Sequence, residues 1–152
     1  MSKKILLNLI AMAMVGALSA KDKAEFIADL KSTDDAVATA AAQHLGKEGV
    51  KDAIEPLGEL VKSNRATGVR IAAAAALGKM DTKGRPTTIL REAIEAEQDN
   101  QVLYTELLAI LNLKDVNNPD LDKAVTYCEA NKAHDRFVAD VVKRIRKAFP
   151  KK

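Results

Sequence analysis

The sequence predicts an all-α fold, a right-handed α-solenoid in which antiparallel helix pairs stack in about three and a half repeats. Three observations lead to this prediction. An apolar pattern recurs at a step of 32 to 34 residues along the 152-residue chain. Within each repeat the apolar residues follow helical spacing. Alanine is abundant, whereas aromatic residues make up only 3% and Trp is absent, which suits close helix packing better than a sheet.

The repeat is clearest between its first two copies. Seven residues of the first copy, 37, 40–42 and 45–47, return 32 positions later as Val69, Ala72, Ala73, Ala74, Leu77, Gly78 and Lys79. The apolar frame returns after 34 more residues as Leu103, Leu107, Leu108 and Leu111, and after a further 34 as Phe137, Val141, Val142 and Ile145. A repeat of this length is typical of solenoids, in which each unit buries its apolar face against its neighbours.

Each unit contains two predicted helices, A and B, seven in all after residue 21. The A helices are predicted at 34–45, 66–78, 100–112 and 134–148, and the B helices at 53–63, 86–97 and 119–131. Upstream, Phe26, Ile27 and Leu30 resemble a B helix that lacks its A partner. No long Gly-, Ser- or Pro-rich linker interrupts the array, so residues 21–152 form one domain.

Helix boundaries are marked by residues suited to them. Pro56, Pro86 and Pro119 each stand near the start of a B helix, where a missing N–H costs little. Asp34 and Asp35 offer capping oxygens to the first A helix. We expect Gly46 and Gly78 to end two A helices in the left-handed conformation, with Asn112 in the same role in the third unit.

Two packing predictions follow from the frame. We expect one contiguous apolar row to stack at positions Val37, Val69, Leu103 and Phe137. We also expect the first two A helices to approach closely, because their facing positions carry almost no side-chain volume; these are Ala40, Ala41, Ala73, Ala74 and Ala75.

Residues 69–78 read V-R-I-A-A-A-A-A-L-G and resemble the V-R-x-x-A-A-x-A-L-G core of bacterial HEAT-like repeats. Residues 37–46 match less well, with Ala38 where Arg is usual, and the resemblance spans about 22–149. Thr67 and Gly68 replace the Asp that often precedes V-R, so no regular Asp–Arg ladder is expected. The resemblance implies that the B helices line the concave side of the array, and it says almost nothing about activity, because this fold hosts many functions. Some bacterial HEAT-like relatives are chromophore lyases.

Residues 1–20 read as a cleaved signal peptide. Lys3 and Lys4 precede an apolar stretch at 5–17, and the small residues at 17–20 predict cleavage after Ser19 or Ala20. The alternatives are a buried N-terminal helix or an uncleaved anchor, for which the stretch is short. We therefore expect a periplasmic or secreted protein, and the single cysteine, Cys128, needs no oxidative folding there.

The chain offers little for catalysis. His44 and His134 lie ninety residues apart with no metal-ligand spacing, and Cys128 occupies the core position of Val61 and Ile94. We predict no enzyme activity, no metal and no cofactor.

Charge is unevenly distributed. Residues 21–142 carry 16 Lys and Arg against 21 Asp and Glu, whereas 143–152 carry six cations and no acid. This basic end either caps the solenoid with a solvated face or docks onto an acidic protein, a neighbouring copy or anionic lipid headgroups. Nucleic acid is not expected, because the net charge is only +3 and few aromatic residues are available for stacking.

The sequence thus predicts an exported scaffold or adaptor that binds a partner protein through exposed B-helix residues. The expected contact residues are Glu55, Glu59, Arg91, Glu95 and Lys123, together with Lys143, Arg144, Arg146 and Lys147 of the basic end. The alternatives are an enzyme-associated or lyase-like protein and a self-associating structural element.

Overall fold

The computed structural model describes residues 21–151, which form eight α-helices and, within that span, no β-strand. The helices are α1 (Lys23–Asp29), α2 (Asp35–Lys47), α3 (Ile54–Val61), α4 (Thr67–Leu77), α5 (Arg85–Ala96), α6 (Asn100–Leu113), α7 (Pro119–Asn131) and α8 (Arg136–Ala148). A 3₁₀ turn at Lys51–Ala53 leads into α3. The all-α prediction is confirmed. The count of seven helices was one too low, because the segment around Phe26 forms the short helix α1.

The helices are arranged in two rows. In row A, α2 packs against α4, α4 against α6, and α6 against α8. In row B, α3 packs against α5 and α5 against α7, and each of these helices also contacts the A helix that follows it. Helix α1 packs against α2. Because each unit contacts its neighbours in sequence, the chain is an α-solenoid.

Carboxylates cap most of the row A helices. The side chain of Asp34 accepts a hydrogen bond from the backbone N–H of Ala36 at 2.8 Å, as predicted for the start of α2. Asp99 and Asp135 cap α6 and α8 in the same way. Asp35 does not cap; it lies in the first turn of α2 and pairs with the Arg65 guanidinium.

Gly78 ends α4 as predicted, but neither Gly46 nor Gly78 adopts the predicted left-handed conformation, and Gly46 does not end its helix. Helix α2 continues through Gly46 to Lys47, and Gly78 has right-handed dihedral angles (φ −67°, ψ −13°). Lys114, with φ 49°, ends α6 in the left-handed conformation instead of Asn112. The two glycines are required by packing: a Cβ on Gly46 would stand 2.6 Å from the Cα of Ala76, and one on Gly78 would stand 2.6 Å from the Cα of Ala109. They let successive A helices meet backbone to backbone.

The predicted apolar row is correct only in its middle. Val69 and Leu103 are buried and Val37 is half-buried, but Phe137 is 60% exposed. Val138 takes the core position, so the packing register shifts by one residue in the last unit. The alanine interface predicted between the first two A helices is also only partly correct. Ala41, Ala73 and Ala74 are buried, whereas Ala75 is half-buried and Ala40 is exposed.

The predicted signal peptide at residues 1–20 lies outside the described part of the chain. Among the residues described, none of the helices combines the length and hydropathy needed to cross a membrane.

Candidate functional site

The row B residues predicted to bind a partner lie on three adjacent helices, and most of them form ion pairs with other residues of the same row. Arg85 of α5 donates two hydrogen bonds to the Glu55 carboxylate of α3, at 2.6 and 2.8 Å. Arg91 pairs with Glu95 at 2.8 Å. Lys123 pairs with Asp120 at 3.0 Å.

These ion pairs also connect neighbouring units. Lys62, just after α3, pairs with Glu92 of α5 at 3.0 Å, and Arg91 of α5 lies 3.7 Å from Asp120 of α7. The hydrogen bond from Arg85 holds the pKa of Glu55 below its usual value. Exposed pairs of this kind are weak, typically about 0–1 kcal/mol. Glu59 makes no ion pair within residues 21–151.

The four contact residues predicted in the basic end differ in their surroundings: Arg146 is held by α7, and the other three are free of ion pairs among the described residues. The Arg146 guanidinium donates to both carboxylate oxygens of Glu129, at 2.8 and 2.9 Å, and to Thr126 at 2.9 Å, and it also pairs with Asp122. Arg146 therefore connects α8 to α7. By contrast, Lys143, Arg144 and Lys147 are exposed and form no ion pair with any described residue.

A groove of about 540 Å³ lies on the row A side, where α4, α6 and α8 meet. Its apolar walls are Ile71, Tyr104 and Phe137, and its polar lining is Asn100, Gln101, Thr105 and Asp135. The Arg136 guanidinium stands 4.8 Å from the centre of the Phe137 ring. The groove thus combines an exposed aromatic ring with cations on the same helix.

The histidines and the cysteine have ordinary structural environments. The His44 ring stacks on Phe26 with centroids 3.8 Å apart, which attaches α1 to α2. His134 is exposed in the turn before α8. Cys128 is fully buried, and burial raises the pKa of its thiol to about 12, so it does not form the thiolate that a nucleophile requires.

The sequence analysis missed a buried carboxyl group. Glu106 of α6 is fully buried, and neither of its carboxyl oxygens has a hydrogen-bond partner among the described residues. Arg70 of α4 is nearby but pairs with Glu97, at the end of α5. Burial, and secondly the charge on Glu97, raise the pKa of Glu106 to about 8, and Arg70 partly offsets this. Glu106 is therefore protonated at neutral pH.

The repeat frame contained only an ambiguous signal for Glu106. Its position corresponds to Ala72 one repeat earlier and to Asp140 one repeat later. Ala72 is buried, whereas Asp140 is exposed. The same repeat position thus does not specify the same burial, and the carboxylate could be read as a solvated residue.

The HEAT repeat family matches residues 24–110, more than half of the chain. The chain belongs to the HEAT repeat family. No curated protein matches it. The HEAT match ends within α6, yet α7 and α8 continue the same two rows.

In this HEAT array, two hydrogen bonds to helix-capping aspartates connect successive A helices. Thr67 at the start of α4 donates to Asp99 at 2.6 Å, and Asn100 at the start of α6 donates to Asp135 at 2.8 Å. These bonds join the N-terminal ends of successive A helices.

Within residues 21–151, no group of His, Cys, Asp and Glu is arranged to hold a metal ion.

Proposed function

We propose that this HEAT-repeat chain is an exported, non-catalytic module that binds a protein partner. HEAT repeats commonly mediate protein–protein interaction. One observation carries the proposal further: α8 presents free cations beside an aromatic ring that is 60% exposed. Exposed aromatic groups are enriched in protein interfaces.

The same observation favours α8 over row B as the main binding surface. Glu55, Arg91, Glu95 and Lys123 already satisfy one another or their neighbours, so a partner would have to displace existing ion pairs. Lys143, Arg144 and Lys147 require no such displacement. Row B then serves chiefly to connect the repeats, and Glu59 is its one charged side chain without an ion pair in the described part of the chain.

A non-catalytic role is supported by the environments of the reactive side chains. Cys128 is buried with its thiol protonated, and His44 is stacked on Phe26. Neither meets the requirement of a nucleophile beside an oriented base.

Binding is tested by chemical crosslinking and pull-down from envelope extract. We expect Lys143→Glu combined with Lys147→Glu to reduce capture of the partner by about tenfold, because the charge reversal adds repulsion. The matched control is Lys47→Glu with Lys79→Glu, which reverses two exposed lysines, one at the end of α2 and one just after α4. If Glu59→Lys with Lys123→Glu abolishes capture while the α8 variant does not, row B is the binding surface.

Export is tested separately by determining the N-terminus of the protein isolated from its host. The charged and apolar parts of residues 1–20 support a cleaved signal, so we expect a mature chain that begins at Ala20 or Lys21. A soluble cytoplasmic chain that begins at Met1 or Ser2 would contradict export and leave the binding proposal unaffected.

A further inference from the structure

The groove where α4, α6 and α8 meet has apolar walls. Phe137 is 60% exposed at its rim, and the half-buried Tyr104 and Ile71 form its other walls. Leu108 and Leu111 are also half-buried and follow Tyr104 by four and seven residues, so the apolar edge of α6 continues beyond the groove.

The surface of α8 next to Phe137 carries several positively charged side chains. Arg144 follows Phe137 by seven residues, or two helical turns, which places it on the same side of α8 about 10 Å away. Lys143 and Lys147 lie within one turn of Arg144, and Arg136 stands over the Phe137 ring. Asp140 is the one carboxylate in α8, so this helix presents a net positive face.

We propose that this surface binds an acidic segment of a partner protein, with one apolar side chain beside Phe137 and carboxylates at Arg144, Lys143 and Lys147. This inference rests on the proposed protein-binding function and specifies the chemistry of the partner. Opposite charges would steer the encounter, and the apolar contact would slow dissociation.

An acidic protein segment fits this surface better than an anionic membrane does. Among the described residues the large exposed hydrophobic side chains are Phe137 and Val116, and Val116 lies on the α6–α7 connection. Membrane-surface helices bury a continuous apolar face. The apolar face of α8, formed by Val138, Val141, Val142 and Ile145, is already buried in the solenoid.

The test is selection of short random peptides on the purified protein at low salt, followed by fluorescence anisotropy with the recovered peptides. We expect sequences rich in Asp and Glu that also carry an aliphatic or aromatic residue. Phe137→Ser and Lys143→Glu/Arg144→Glu should each weaken binding by about tenfold. Raising the salt from about 50 to 500 mM should also weaken it, because exposed charges are then screened.

Two controls match these variants in chemistry: Val116→Ser removes another exposed apolar side chain, and Lys47→Glu/Lys79→Glu reverses cations elsewhere. Peptides without carboxylates, or peptides that bind Phe137→Ser as tightly as wild type, would overturn the inference. So would binding to phosphatidylglycerol vesicles with no selected peptide. If crosslinking captures a partner that is insensitive to the α8 variants, the binding function stands and this inference fails; if neither experiment yields a partner, both fail.

Discussion

Gly46 of α2 lies directly against Ala76 of α4, so close that a Cβ at Gly46 would stand 2.6 Å from the Ala76 Cα. The same contact recurs one repeat later between Gly78 and Ala109. The glycine of the Leu-Gly pair near the end of each of the first two A helices is thus explained by the distance between helices. It is not explained by a need for left-handed dihedral angles.

We predict that Gly46→Ala destabilises the protein by about 1–3 kcal/mol, because the added methyl meets backbone that cannot move aside. This loss should outweigh the roughly 1 kcal/mol that alanine otherwise gains over glycine within a helix. Chemical denaturation provides the measurement. Gly68→Ala is the matched control, since Gly68 is exposed in the first turn of α4 with no atom within 4 Å of its Cβ position; it should leave stability unchanged or raise it slightly.

Ala73 and Ala40 were both expected at the A-helix interface, and the structure separates them. Ala73 is fully buried and Ala40 is exposed. Ala73→Leu should therefore overpack the interface and lower the free energy of unfolding by about 1–3 kcal/mol. Ala40→Leu should change it by no more than about 0.5 kcal/mol. Equal melting temperatures for the two variants would show that the packing of α2 against α4 is described incorrectly.

Arg146 should contribute to stability, whereas its neighbour Lys147 should not. We predict that Arg146→Lys lowers the free energy of unfolding by about 1–3 kcal/mol, because an ammonium group cannot bond Glu129, Thr126 and Asp122 together. Lys147→Gln removes a charge one residue away that has no ion pair in the described chain, and it should be nearly neutral. A stable Arg146→Lys variant would mean that its ion pairs are ordinary surface contacts.

Glu106 should make the protein less stable as the pH rises. Its pKa is about 8 in the folded state against 4.5 for an ordinary glutamate, so the folded state holds a proton that the unfolded state has released in this window. The free energy of unfolding therefore falls as the pH rises between these two values. Glu106 contributes at most about 1.4 kcal/mol per pH unit to this fall, and its contribution levels off above the pKa of the folded state. Glu106→Gln cannot ionise, so its free energy of unfolding relative to wild type should rise from pH 5 to pH 8.

Thermal denaturation of both proteins across this range gives the measurement. Glu59→Gln is the control, because Glu59 is exposed on α3, and its difference from wild type should not change with pH in this way. A constant difference between wild type and Glu106→Gln would show that Glu106 finds a charged partner or reaches solvent.

The sequence was enough to predict the helices, their two rows and the repeat. These features depend on local properties: the apolar spacing along each helix, Asp34 at a helix start, and Pro86 and Pro119 at others. Such signals act within a few residues of the chain, so they can be read without knowing what the helix packs against. The HEAT resemblance rested on the same local pattern, and the family match confirms it.

Only the tertiary structure decided which residues of each repeat are buried, paired or free. Phe137 is exposed and Val138 buried because α8 packs one residue out of register with the frame of the earlier helices. Arg146 differs from Lys147 because a step of one residue turns a helical side chain by about 100°, here toward the carboxylates of α7. Glu106 is buried where Asp140 is exposed. Each outcome depends on the neighbouring helix, whose position no local pattern specifies.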